Sequence, residues 1–335
     1  MIASRLSVNQ MTDKSKCLRS ELRLCEHPST SEVGVSTVQR DGAVHLRIAV
    51  GIATRGRPAI LAETIGDLEK QSRQPDSIWV AYADLVDIQE LPERYPYVRF
   101  IQTKLGLTAQ RNAILNELSD EEVVTFLDDD FFLHRDYLAV IEDVLMCHPE
   151  VVAATGKLLA DGINGVGLSV SNAKSIIANS HGVRRTGKLT SVFNAYGCNM
   201  SLRLETIRTH QLRFDENLPL YGWYEDVEFS RQLAHYGDIV RVGNACGVHL
   251  GVKYGRQSGI KLGYSQVANP FYLAHKRSVG WDYAVASMIS RSMKNLVRSA
   301  APEPFVDRLG RLRGNLKGWR ELVEGTISPT RILDM

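Results

Sequence analysis

Nothing in this 335-residue chain builds a disulfide frame or a zinc site. Its five cysteines (Cys17, Cys25, Cys147, Cys198 and Cys246) are scattered, odd in number and without a Cys-x-x-Cys pair. That usage fits a reducing compartment. A basic stretch followed by an apolar core is missing from the N-terminus, so no secretory signal is expected. No window reaches the roughly 18 uncharged apolar residues that a spanning helix needs. Internal repeats and low-complexity tracts are missing too, which argues against a solenoid or propeller. An excess of either charge is missing, with 40 Lys and Arg against 38 Asp and Glu, and a net +2 names no partner by itself. The expectation is a cytoplasmic protein, soluble or attached to the inner face of a membrane. What is present is ordinary for a globular fold: 44% hydrophobic and 23% charged residues. The length suffices for one large α/β domain with appendages, or for two domains.

Residues 1–44 show no sustained periodicity and read as a loosely ordered extension. Order begins with the apolar run Leu46–Ala53, a buried strand, and Pro58 then opens a helix with Ile60, Leu61, Ile65 and Leu68 on one face. Further strands are expected at Ile78–Ala83, Val98–Ile101, Val123–Leu127, Val151–Ala154 and Asp238–Val242. Helices are expected from near Thr108, over Asp136–Met146 and over Tyr224–His235. Alternation of this kind predicts a mostly parallel α/β sheet with helices on both faces. The stretch Gly162–Ser191, rich in Gly, Ser and Asn, reads as loops and antiparallel strands. The resulting division is an alternating strand–helix half over 45–158, a loop-rich half over 159–255 and a helical region over 256–335.

Leu127-Asp128-Asp129-Asp130 is the most informative motif. Acids at the carboxyl end of a buried strand emerge at the sheet rim, where open α/β sheets bind ligands. Three adjacent carboxylates repel one another unless something positive lies between them. A divalent cation carrying phosphate oxygens suits that place, and a solvated helix-capping turn is the plainer reading. Thr54-Arg55-Gly56-Arg57-Pro58, at the end of the first strand, offers guanidinium groups beside a helix N-terminus, as a diphosphate requires. Asp84 ends the second strand, within reach of a base or ribose, although a lone loop acid is commonly a turn residue. Arg111 lies early in its helix and can reach the same site. Glu225 and Asp226 open another helix, where acids complement the dipole. As a general base, one of them would work beside Trp223 and Tyr224, aromatic enough for a sugar platform. His249 follows a strand and can return toward the aspartates as a metal ligand.

Taken in order, Ala53–Pro58, Asp84, Gln110-Arg111-Asn112, Leu127–Asp130, Gly197-Cys198-Asn199-Met200-Ser201, Glu225-Asp226 and His249 resemble the inverting family 2 glycosyltransferases of the GT-A fold, over residues 46–255. Gly263-Tyr264-Ser265-Gln266, Asn269-Pro270 and Leu312-Arg313-Gly314-Asn315 look like bacterial exopolysaccharide enzymes of the succinoglycan type. The resemblance implies that Thr54, Arg55, Asp84 and Arg111 hold the uridine and diphosphate of a UDP-sugar. Asp128 and Asp129 would join them, with Asp129 at ribose or sugar. Asp130 would ligate Mg²⁺ or Mn²⁺, His249 would complete the metal shell, Asp226 would be the general base and Glu225 a supporting acid. The same resemblance implies a saccharide hydroxyl as the acceptor, carried on a lipid. Two departures stand out. Tyr82-Ala83-Asp84-Leu85 replaces the usual Asp-Asp-Gly-Ser, and a third aspartate leaves open which pair meets metal and ribose. A sugar nucleotidyltransferase and a non-catalytic sugar-nucleotide or membrane adaptor are the competing readings.

The C-terminal region concentrates charge. Between 291 and 320 stand eight bases against two acids, a net of +6. Val285, Met288, Ile289, Met293, Leu296 and Val297 share one helical face. A second helix carries Phe305, Leu309, Leu312, Leu316, Trp319 and Val323. Cationic amphipathic helices can lie on an anionic bilayer, or can pack on protein with their bases in water. No aromatic-rich surface accompanies the charge, so nucleic acid is not expected as a partner. The pattern also leaves room for a homo-oligomer.

Overall fold

The computed structural model describes residues 38–40, 43–180, 188–253 and 258–335. Most of the expected extension, residues 1–37, lies outside them. A short antiparallel hairpin, β1 (Val38–Arg40) with β2 (Ala43–His45), precedes the domain. The next elements are β3 (Ile48–Ala53), α1 (Pro58–Leu68), β4 (Ser77–Tyr82), α2 (Leu91–Arg94) and β5 (Arg99–Gln102). They are followed by α3 (Leu107–Glu117), β6 (Val123–Asp128), β7 (Phe131–Leu133), α4 (Tyr137–Cys147), β8 (Val151–Asp161) and α5 (Val170–Ala178). Next come β9 (Leu189–Ser191), β10 (Asn199–Arg203), α6 (Leu204–Thr209), α7 (Glu225–Leu233) and β11 (Asp238–His249). Three helices close the chain: α8 (Gly259–His275), α9 (Trp281–Arg298) and α10 (Arg308–Val323).

One nine-stranded sheet runs β5-β4-β3-β6-β10-β8-β11-β7, with β9 pairing off β11. Its first four strands are parallel, as alternation with helices requires. The other half is mixed, because β10 is antiparallel to both β6 and β8. Successive residues of β3 and β6 face opposite sides. Ile48, Val50, Val123 and Leu127 join α1 and α4 in one core, while Ala49, Val124 and Phe126 join α3, α6 and α7 in the other. Helices therefore cover both faces, as expected. The register sets Ala53 beside Ala81 and Asp128, so β3, β4 and β6 end at a common rim.

Three stretches differ from the sequence reading. Gly162–Ser191 contains a helix, α5, started by the Ser169 hydroxyl accepting from the Asn172 N–H, an N-cap signal that the surrounding Gly and Ser obscure. β8 and β11 run to 11 and 12 residues, well past their apolar cores, because they pair with each other to Asp161 and His249. In the last helix, Phe305 lies outside: α10 starts after Asp307, whose carboxylate caps Gly310.

The C-terminal helices dock on the domain through Lys276, which lies 2.6 Å from Asp215 and 2.7 Å from the buried Glu228. Leu273, Ala274 and Ala284 pack there with Leu218 and Val227. Helix α10 lies against α8 with glycine at the crossing. A Cβ on Gly314 would strike the carbonyl of Ile260, and one on Gly263 would strike that of Arg311. Replacing Gly314 with Val should therefore cost about 1–3 kcal/mol by overpacking, whereas the exposed Val323→Ser should stay within about 0.5 kcal/mol. Urea denaturation of both variants checks this, and equal midpoints would disprove the close crossing.

Candidate active site

The rim motif divides its three carboxylates among three tasks. Asp128 ends β6 with its side chain about one third exposed, at 31%. Asp129 turns inward and is fully buried. It accepts from the Thr54 hydroxyl at 2.7 Å and pairs with Arg57 at 2.5 Å, while its own carbonyl accepts from Thr64 at 2.7 Å. Burial pushes its proton affinity up, against the opposing pull of Arg57. Asp130 heads the short β7, whose antiparallel pairing sets Phe131 opposite His249. The Val252 N–H donates to Asp130 at 2.8 Å.

His249 thereby arrives beside the aspartates. Its Nε2 lies 3.4 Å from Asp130 and 3.7 Å from Asp128, and its Nδ1 lies 2.9 Å from Asp161. One donor atom each from Asp128, Asp130 and His249 falls within 4.8 Å of the others, a cluster able to hold a metal ion. Two oxygens and an imidazole nitrogen suit Mn²⁺, and Mg²⁺ with its preference for oxygen less fully. Asp161, hydrogen-bonded by Tyr196 at 3.2 Å, fixes the far nitrogen of the ring. Burial lowers the proton affinity of the His249 imidazole, yet the bonds to Asp130 and Asp161 outweigh that and raise its pKa to about 10.

Across the rim, Tyr224 takes a left-handed conformation at φ +72° immediately before α7. A non-glycine residue there costs on the order of 1 kcal/mol or more. The turn aims Glu225 and Asp226 at the aspartates. Arg111 joins the two groups: it lies 2.7 Å from Glu225 and 3.6 Å from Asp128, and donates to the Gly197 carbonyl at 2.7 Å. Glu225 is buried, and burial pushes its pKa up to about 8 despite Arg111. Asp226 is half-buried and accepts from the Gly197 N–H at 3.1 Å and the Val227 N–H at 2.8 Å. Burial raises its pKa as well, with those N–H groups opposing.

The expected site residues therefore part company. Asp128, Asp130, His249, Glu225 and Asp226 converge. Thr54 and Asp129 are buried in a bracing contact with Arg57, and Arg111 (1% exposed) lies behind the rim with its guanidinium engaged by Glu225 and Gly197. Arg55 is exposed at the rim. Asp84 is exposed too, and caps a turn by accepting from the Val86 N–H at 3.1 Å. Trp223 and Tyr224 are half-buried under α9: Arg291 sits 5.5 Å from the Trp223 ring, and Tyr224 bonds to Ser287 at 2.6 Å. Three residues are added to the site: Asp161, Gly197 and Arg57, the last turned inward from the basic loop. Only the length of β8 hints at Asp161, whereas Arg57 stood two residues from Arg55 with no signal to rank them. Gly197 leaves room for its neighbours, since a Cβ there would come within 3.0 Å of Glu225.

No protein-family model and no curated protein matches this chain. Solved structures do. The crystal structure of GalNAc-T7 with UDP, GalNAc and Mn²⁺ aligns with a TM-score of 0.52 at 14% identity, over 84% of this chain and 57% of that one. The mannosyltransferase PcManGT from Pyrobaculum calidifontis, in complex with GDP-Man and Mn²⁺, gives 0.52 at 13% identity over 84% and 89%. This is the GT-A glycosyltransferase fold. Residues 1–349 of S. aureus TarS give 0.51 at 14% identity, over 84% and 83%. The chain thus spans little more than half of the GalNAc-T7 chain and most of the other two.

If Asp161 orients His249 for a metal, Asp161→Asn should weaken Mn²⁺ binding about 10- to 100-fold. Isothermal titration of the nucleotide-free protein reads this, and unchanged affinity would show that Asp161 has no such part.

Proposed function

We propose that this chain is an inverting, metal-dependent glycosyltransferase that moves a sugar from a UDP-sugar to an acceptor hydroxyl. The observation that carries the reading is the Arg111 bridge. It ties the Asp128 side of a three-ligand cluster to Glu225 and, through the Gly197 carbonyl, to the residue whose N–H holds the half-buried Asp226, so both acidic groups share one rim. The three solved relatives support it, since two of them hold a nucleotide or nucleotide-sugar with Mn²⁺.

In this reading Asp128, Asp130 and His249 hold Mg²⁺ or Mn²⁺. When bound, the cation offsets the negative charge that grows on the departing diphosphate. Arg55, exposed at the rim, meets the diphosphate, and Asp84 meets the uridine. Asp226 is the general base and takes the acceptor hydroxyl proton during in-line attack at the anomeric carbon. Glu225 fixes Arg111 and thereby the position of Gly197, whose N–H orients the Asp226 carboxylate. One displacement without a covalent enzyme intermediate inverts the anomeric configuration. The acceptor is a lipid-linked saccharide in exopolysaccharide assembly of the succinoglycan kind, and the enzyme works at the inner face of the membrane. A sugar nucleotidyltransferase is the weaker reading, because Arg57 faces Asp129 where such an enzyme would present a glycine-rich loop.

Mn²⁺-dependent UDP release with a saccharide acceptor should fall about 10²- to 10⁴-fold in Asp226→Asn, with UDP binding retained. A variant as fast as the wild type would remove Asp226 from the chemistry. The sign of the pH dependence follows from burial. Because the Asp226 pKa is raised, the acid limb of kcat/KM should lie above the ordinary carboxylate range of about 4, with activity rising as the group loses its proton. A limb at or below that range would contradict its role.

A further inference from the structure

The structure leaves a long apolar strip uncovered. On α9, Trp281, Val285, Ile289, Met293, Leu296 and Val297 are exposed, and on α10 so are Leu309, Leu316 and Val323. The two sets adjoin. Met288, Ser292 and Leu296 follow at four-residue steps, each rotating by about 40° around the helix. They pass from the buried side, through the Trp319 Nε1 bond to Ser292 at 2.9 Å, to the open side. On α10, Asn315, Trp319 and Val323 make the same rotation, from the buried bond to Asn295 at 2.8 Å outward. Gly314 and Gly318 face α8. Both apolar stripes therefore flank the α9–α10 seam on the side away from α8.

We infer that this outer seam is a docking surface for an anionic lipid bilayer. The inference deepens the membrane-face part of the proposed function and rests on that reading for its occupant. The bases choose between occupants. Exposed Arg313, Lys317 and Arg320 edge the strip on α10, while Lys294 and Arg298, at three- and four-residue steps from Ser287 and Arg291, lie on the opposite flank of α9. Lys317 and Arg320 have acid neighbours, Glu321 at 3.9 Å and Glu324 at 2.7 Å. Among the described residues no carboxylate lies within ion-pair distance of Arg313. An apolar centre with a cationic fringe matches the acyl boundary and phosphate layer of an anionic leaflet. A second copy seated with its α10 fringe on this one would meet like-charge repulsion. No described helix is long and apolar enough to cross a membrane, so the pair would lie on the surface. The opposite flank of α9 carries Ser287 and Arg291, which touch Tyr224 and Trp223 beside Asp226. A bilayer on the outer seam would thus lie one helix diameter, about 10–12 Å, from the acceptor side of the cleft.

The test is flotation of the full chain with vesicles of equal phosphatidylglycerol and phosphatidylcholine, and with phosphatidylcholine alone. Wild type should float with the anionic vesicles and bind the neutral ones at least about tenfold more weakly. Ile289→Asn with Leu316→Asn should lose about tenfold or more of the anionic partition, and Arg313→Gln with Lys317→Gln and Arg320→Gln should lose a similar share. Mn²⁺-dependent donor hydrolysis should be unchanged in both variants, which also reports their folding. Should the apolar variant fail to fold, the charge variant decides alone. A wild type that does not float would remove the bilayer as occupant. Variants that float like wild type would move the contact to another face, and a wild-type dimer made monomeric by Ile289→Asn with Leu316→Asn would give the seam to a second copy. Transfer activity is read separately, so failure of the catalytic reading would show as absent UDP release whatever the flotation result.

Discussion

Mutual repulsion among carboxylates is the constraint on which the rest depends. Asp128, Asp129, Asp130, Asp161, Glu225 and Asp226 gather at one end of the sheet, and most are wholly or largely removed from water. Three cationic groups stand among them: Arg57 braces Asp129, Arg111 joins Glu225 to the Asp128 side, and His249 lies between Asp130 and Asp161. Buried ion pairs of this kind add little net stability, because desolvation opposes the attraction. What they do is fix positions. The folding free energy comes from the two apolar layers on either side of the sheet. The arginines then hold the acids at set separations, with more negative than positive charge remaining, which is the condition under which a divalent cation binds.

The topology explains why residues so far apart in sequence meet. Parallel pairing brings the ends of β3, β4 and β6 to one rim, and the antiparallel β7–β11 pairing folds His249 back onto Asp130. Helix α3 acts as a brace. Gln110 bonds the carbonyls of Thr54 and Ala81, Arg111 reaches Glu225, and Asn112 holds the backbone of Phe214. Three consecutive polar residues inside a core tie together the two strand ends, the cleft and the loop that leads to α7.

Much of this was legible in the chain. Apolar runs bounded by Pro, Gly or acidic residues marked β3, α1, β4 and β6 to within a residue or two, since burial on both faces of a parallel strand leaves a continuous hydrophobic signal. The meeting of the aspartates, Glu225-Asp226 and His249 was also readable, because acids at strand ends and helix starts have few places to go. Direction within a motif was not. Period-2 alternation turns Asp129 inward while Asp128 stays at the rim, and Arg57 but not Arg55 follows it. Nothing in Asp-Asp-Asp or Arg-Gly-Arg ranks one member over another before the register is known. The helix α5 was hidden because its glycine and serine neighbours mimic loop composition. On α9, one apolar repeat contained both a buried residue, Met288, and an exposed row, and only the placement of α8 and α10 separates them.

The central claim is that both acidic groups serve one cleft with a cation on one side and Asp226 on the other. Diffraction from crystals grown with UDP and Mn²⁺, collected for the anomalous signal of manganese, examines it most directly. The account predicts a single strong peak within bonding distance of Asp130 and His249, with the diphosphate beside it and the uridine running toward Asp84. A peak remote from those residues, or a nucleotide bound on the far side of the sheet from Asp226, would contradict it.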